Sequence, residues 1–207
     1  MVIFLNYKKG GKLNTWITSD LHIGHKNIVK GVSEWDNKAP CRNFDTLEKH
    51  NSVIFDNINK IVKQDDIFYV LGDIFFGGRE NIIPFRNRII CKNIHLVLGN
   101  HDLLIRKNAV LEDGVLSRDL FTTVSDVLDK TIGKDKFFMS HYAHRTWPKS
   151  GRGSYHLYGH SHGSLEHQVW GKSMDVGIDT HHEFRPYHID EIRSILSKRE
   201  VLSVDHH

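Results

Sequence analysis

Cysteine is nearly absent: the 207 residues hold two, Cys41 and Cys91. They form no CxxC pair, which excludes a thiolate zinc site and a disulfide framework. A reduced, cytoplasmic setting is the expectation. Long apolar runs are missing as well. None approaches the ~20 residues that cross a bilayer, so no membrane partner is expected. Residues 1–5 are apolar, but the stretch is short and Lys8 and Lys9 follow it. That is the wrong order for a secretory signal. Charge of one sign is also lacking. A net charge of +3 with histidine neutral is too mild to mark a nucleic-acid binder. There is no internal repeat, and the Gly/Ser-rich stretch 149–154 is too short to join domains.

What is present is an ordinary soluble composition, 39% hydrophobic and 26% charged. The length suits a single domain over residues 1–207 with a sizeable core. Histidine is the outlier, with sixteen. His206 and His207 resemble a tag remnant and are set aside. The placement of the others carries the argument.

Strand-like stretches fall at 16–18, 67–71, 94–98, 136–139 and 155–158, with weaker ones at 124–132 and 173–178. Ile67-Phe68-Tyr69-Val70-Leu71 is apolar throughout, as a strand covered on both faces should be. A helix is predicted over 45–62, with Leu47, Ile54, Ile58 and Ile61 on one face and Asp45 and Glu48 as its start signal. A second is predicted over 190–198 and a third within 79–90, around Pro84. Strands and helices alternate early and strands dominate later. The fold class is therefore α/β, with one mixed sheet or two stacked sheets.

Five motifs each end a strand-like run: Asp20-Leu21-His22, Gly72-Asp73, Gly99-Asn100-His101-Asp102, Ser140-His141 and Gly159-His160-Ser161-His162. Ligands of α/β sheets gather outside the carboxyl ends of strands, so one rim can collect all five. The donors are carboxylates, imidazoles and a neutral amide oxygen, a set that suits divalent cations. Two cations bring +4 and Asp20 and Asp73 bring −2. The remaining +2 favours a phosphate ester. Strand alternation predicts that Asp20 and His22 point the same way and chelate one ion, and His160 and His162 share that spacing. Asp73 has two oxygens with which to bridge.

These motifs, in this order, resemble the calcineurin-like metallophosphoesterase superfamily over roughly residues 14–180. The resemblance implies a four-layer αββα sandwich of two mixed sheets. It implies that Asp20, His22 and His162 hold one metal, that Asn100, His141 and His160 hold a second, and that Asp73 bridges them. A metal-bridging hydroxide would attack phosphorus. His101 would stabilise the phosphoryl oxygens or protonate the leaving group. Asp102 would buttress the loop or orient His101. The metals would be Mn, Fe, Zn, Co or Ni, with Mn the first candidate for activity. One departure stands out. Ser/Thr protein phosphatases of the superfamily carry an acidic residue where this chain has Phe76, so a protein-phosphatase reading is weakened. The local pattern is closer to small bacterial and phage phosphoesterases. A small phosphodiester or phosphomonoester, including a nucleotide, is the expected substrate. A nuclease on DNA or RNA and a non-catalytic scaffold of the same fold are the rivals.

Around the motifs, His25 and Asn27 either reach substrate or lie at a helix start, and Arg145 and Arg185 either clamp phosphate or sit on the surface. Trp147 either stacks a base or closes the core edge. The 149–154 stretch is a lid or a connector. His181 and His182 lie near Asp179, beside the metals or in solvent.

Overall fold

The structure, a computed structural model, describes residues 13–168 and 170–202. Residues 1–5, Lys8, Lys9, His206 and His207 lie outside them. Among the described residues no helix is long and apolar enough to cross a membrane.

Two mixed sheets form the body, in an α/β fold of the metallophosphoesterase sandwich type. The first contains β1 (Thr15–Thr18), β2 (Ile67–Val70), β3 (Asn93–Val97), β4 (Thr123–Ser125) and β9 (Tyr187–His188), in the order β4-β3-β2-β1-β9. Its first four strands are mutually parallel, and β9 adds antiparallel to β1. The second contains β5 (Val127–Ile132), β6 (Asp135–Ser140), β7 (Tyr155–Tyr158) and β8 (Ser173–Asp175), in sequence order. The stretch predicted as one strand over 124–132 is two. β4 pairs with β3, and after Asp126 the chain crosses to pair β5 with β6.

Alternation along the strands builds two cores. Phe68 and Val70 of β2, with Ile94 and Leu96 of β3, face α1 (Leu47–Ile61) and α2 (Arg79–Arg88). Tyr69 and Val97 point the other way, against Phe137, Met139, Leu157 and Met174 of the second sheet. This period-two division is why β2 reads as continuously apolar. Helix α1 starts one residue past Thr46, whose hydroxyl accepts from Lys49 N. It buries Ile54, Phe55 and Ile58. Helix α4 (Ile189–Ser197) is capped by His188 and Glu191 in reciprocal fashion and inserts Ile192 and Leu196 into the inter-sheet core.

The outer face of the second sheet carries His156, fully buried. Its Nε2 accepts from His144 N at 2.9 Å and its Nδ1 donates to Phe138 O at 3.1 Å. The bond that Nε2 accepts requires the neutral ring, and burial pushes the pKa down to about 4. The folded value lies below the ordinary 6.5, so this stabilisation is complete above pH 6.5 and is lost as pH falls toward 4. The loss should reach about 3 kcal/mol at most. Unfolding midpoints measured across that range should fall, and His156→Gln should remove about one proton from the slope. An unchanged slope would sink the assignment.

Candidate metal centre

The five motifs meet at the carboxyl ends of β1, β2, β3, β6 and β7, three of them through strained turns. Among the described residues eight non-glycines have positive φ, and five of them are Asp20, His22, Asp73, His160 and His162. A left-handed backbone costs such residues of order 1 kcal/mol or more and persists only where the surroundings hold it. Here Asp20 N donates to Gly72 O and His22 N to Asp73 O. Strand alternation is therefore not what aims the first motif. β1 stops at Thr18, and two left-handed residues, not the pleat, turn Asp20 and His22 to one side. Glycine permits the closeness. A Cβ on Gly159 would overlap Ser19 Oγ and Asp20 Oδ2, and one on Gly99 would overlap Asp73 Oδ1.

Two donor groups result. One is Asp20, His22 and His162, the other Asp73, His141 and His160, each with its ligand atoms within 4.8 Å of one another. His160 and His162, whose spacing allowed one shared ion, are split between the groups. Asn100 joins the second, its Oδ1 3.0 Å from His141 Nε2. Asp73 faces both. Its Oδ2 lies 3.9 Å from His22 Nε2 and 3.5 Å from His141 Nε2, while its Oδ1 accepts from His101 N.

The lone pairs are arranged as if around cations. His141 Nδ1 can only donate to Leu71 O, so Nε2 of the neutral ring presents a lone pair to the Asn100 oxygen. His162 Nδ1 lies 2.5 Å from Asp179 Oδ2, which leaves its Nε2 unprotonated in the neutral ring, 3.2 Å from His22 Nε2. Two nitrogens bound to one ion at ~2.1 Å each sit about that far apart. Asp20 Oδ1 is buried with no hydrogen-bond partner, while Oδ2 accepts from His160 N at 2.8 Å. Burial pushes the Asp20 carboxyl up to about 6 and, with Arg42 second, holds His22 well below its ordinary value. An orphaned carboxylate oxygen and ring nitrogens turned toward one another fit a pair of divalent cations.

Sequence reasoning missed the layer behind this site. Arg42 is buried and donates to both Asp179 oxygens at 2.7 and 2.8 Å, to Leu21 O at 3.0 Å and to Asp20 O at 2.5 Å. Its Nη1 also meets His50 Nε2 at 2.9 Å. Tyr142 was missed too: its hydroxyl is 3.3 Å from Asn100 Oδ1 and its ring packs on His160. A lone arginine in a loop gives no signal. Tyr142 follows His141 directly and offered a weak one.

The other candidates divide. His101 stands at the rim with its ring 43% exposed and Nε2 4.0 Å from Asp73 Oδ2. His25 stacks on Phe76 at 3.9 Å, its Nδ1 3.2 Å from that of His22. Burial, then His101, holds His25 at about 4. Asp102 accepts from the backbone N–H groups of Asp73, Ile74 and Gly99. Its carboxylate thereby ties two loops together. Asn27 accepts from Glu34 N and serves its own loop. Arg185 is bound by Glu183 and Glu191, so its fork is spent away from the cluster. Arg145 lies over the Trp170 ring at 4.9 Å. Trp147 is buried and donates to Ser154 O, closing the core edge. The 149–154 stretch forms a 3-10 turn at Ser150–Arg152. His181 is buried and accepts from Glu183 N, its other nitrogen turned to Glu191.

The chain has relatives. The chain is 35% identical over 99 residues to the Gene 66 protein of Mycobacterium phage L5, a match covering 43% of this chain and 40% of that one. It is 24% identical over 210 residues to the Gene 66 protein of Mycobacterium phage D29, covering 90% and 98%. AQ665, a protein of unknown function from Aquifex aeolicus, shares the fold with a TM-score of 0.61 at 18% identity, over 88% of this chain and 99% of that one. The model of the calcineurin-like phosphoesterases matches residues 13–204, and the chain belongs to that family.

Proposed function

We propose that this protein hydrolyses small phosphate esters with the help of two divalent cations. Asp20, His22 and His162 hold one cation, Asn100, His141 and His160 the other, and Asp73 lies between them as the shared ligand. The observation that carries this reading is the buried Asp20 Oδ1, without a hydrogen-bond partner, with the ring nitrogens of His22 and His162 at 3.7 and 3.9 Å. No oxygen of a carboxylate is buried unpaired without cost. When bound, such a cation pair supplies Lewis acidity toward the phosphoryl oxygens and acidifies a water.

The chain's own groups do the rest. Two carboxylates among neutral donors leave the loaded site positive, which attracts an anionic ester. His160 and His162 are exposed, so one side of the site is open to substrate. His101 Nε2 can donate to a phosphoryl oxygen or pass a proton to the leaving oxygen. Its backbone is tied by Asp73, and its ring packs on Phe76 at 4.6 Å. Phe76 thus supports His101 by packing where relatives of the protein-phosphatase type use a carboxylate. Asp102 positions the loops that carry Asp73 and His101.

The test is turnover of bis(p-nitrophenyl) phosphate by the full chain with Mn²⁺, and its loss with excess chelator. Turnover that survives the chelator overturns the proposal. His101→Ala should keep both metals and slow kcat by roughly 10²–10⁴-fold. If its metal content instead drops as far as that of His141→Ala, then His101 is a metal ligand and not the proton donor.

A further inference from the structure

A cleft of about 460 Å³ opens beside the metal centre, between the loop carrying Phe76 and α3, the single turn Leu103–Arg106. It shares His101 with the centre. Phe75, Ile82 and Leu104 give it apolar walls, and Leu103 stands 54% exposed at its mouth. Arg79 and Lys107 also line it. The carboxylate among its lining residues is Asp102, which is consumed by three backbone N–H groups. Its oxygens are turned to the backbone, which leaves Arg79 and Lys107 as the cations of the lining. An apolar cleft with a few placed charges is built for an organic ligand, and inorganic phosphate alone would leave its walls wet. A second depression, lined by Tyr142, Ala143 and Leu165, flanks the centre on the His160 side. A monoester has one substituent to place; a diester has two.

We propose that the substrate is a phosphodiester whose leaving group occupies the Phe76–Leu103 cleft, and that this group is a nucleoside bearing a further phosphate. The ring lies on the Leu103 and Leu104 wall, and the distal phosphate meets Arg79 and Lys107. This rests on the phosphoesterase reading above. The reaction is hydrolysis without redox change. A water oxygen bonds to phosphorus, the bond from phosphorus to the leaving oxygen breaks, and that oxygen gains a proton. The products are a phosphomonoester and a nucleoside alcohol that keeps its own phosphate.

The experiment compares adenosine 3′,5′-bisphosphate with inorganic phosphate as competitors of bis(p-nitrophenyl) phosphate turnover by the Mn²⁺-loaded full chain. The bisphosphate should bind about tenfold tighter or better. Leu103→Trp, which narrows the mouth, and the double variant Arg79→Ala with Lys107→Ala should each bring that ratio toward one. Equal competition in the parent protein overturns the proposal, and so does a ratio that survives both changes. Calorimetric titration of the same proteins separates the two readings. Bisphosphate preference without any hydrolysis would defeat the phosphoesterase reading and leave the cleft standing. Hydrolysis without preference would do the reverse.

Discussion

Asp73→Asn should abolish turnover and lower the metal bound per chain. The substitution keeps the shape of the side chain, and its amide oxygen can still accept from His101 N, as Asp73 Oδ1 does at 2.9 Å. What it removes is a negative charge that three ring nitrogens face within 4.0 Å: those of His22, His141 and His101. Two cations placed side by side repel strongly, and at this burial water screens little of it. Asp73 is 2% exposed and is the carboxylate set between the two donor groups. Without its charge the second cation should be lost or weakly held, because an amide offers one neutral oxygen in place of two that share a charge. The loss in kcat should be on the order of 10³-fold or more, the scale seen when one preorganised electrostatic partner is removed. Metal content by plasma emission spectrometry and steady-state turnover settle the matter together. Normal activity in this variant would end the two-cation mechanism.

What was legible is what leaves a local pattern of sufficient length. Helix α1 was readable because Ile54 and Ile58 recur at helical spacing, and its true start differs only because Thr46 caps it in place of Asp45. β2 was readable because both of its faces are buried. The donors were readable because each motif carries its own donors at a strand end. Which donors share a group was not readable from spacing. Asp20 and His22 share a group while His160 and His162, with the same spacing and the same left-handed φ, fall into different ones, so it is the tertiary placement of each turn that decides. β9 was missed because two residues make no periodicity. α3 was missed because a single turn makes none either. The Arg42–Asp179 pair was hidden because its partners are 137 residues apart, and a side chain buried by tertiary contact leaves no mark on its own neighbourhood. Of the two alternatives for Arg185, the structure shows its guanidinium held by Glu183 and Glu191, two and six residues away, a local pairing that the sequence reading did not weigh.

Because of that hidden pair, Arg42→Met should unfold the protein roughly 10 °C earlier and also weaken the first donor group. Burial would raise the Asp179 carboxyl, yet Arg42, and then His162, hold it at about 2. The folded value is below the ordinary 3.8, so the stabilisation, roughly 2–3 kcal/mol, is present above pH 4 and is lost as pH falls toward 2. Removing Arg42 strands a nearly buried carboxylate and leaves the carbonyls of Leu21 and Asp20 without this donor. Breaking one side of such a pair costs about 3–5 kcal/mol, and about 2–4 °C per kcal/mol is usual at this chain length. Lysine should not rescue, since one ammonium cannot replace a planar fork that serves four acceptor oxygens. Arg42→Met combined with Asp179→Leu should regain much of the stability, because an apolar pair of similar volume replaces both charges. It should not regain metal affinity. His162 Nδ1 would lose the carboxylate that fixes its tautomer and aims Nε2 at the site, a loss of roughly 10–100-fold. Calorimetric Mn²⁺ titration of the double variant therefore separates the two roles. If it binds metal as tightly as the parent, Arg42 and Asp179 only hold the fold; if it is stable and binds weakly, they also aim the ligand.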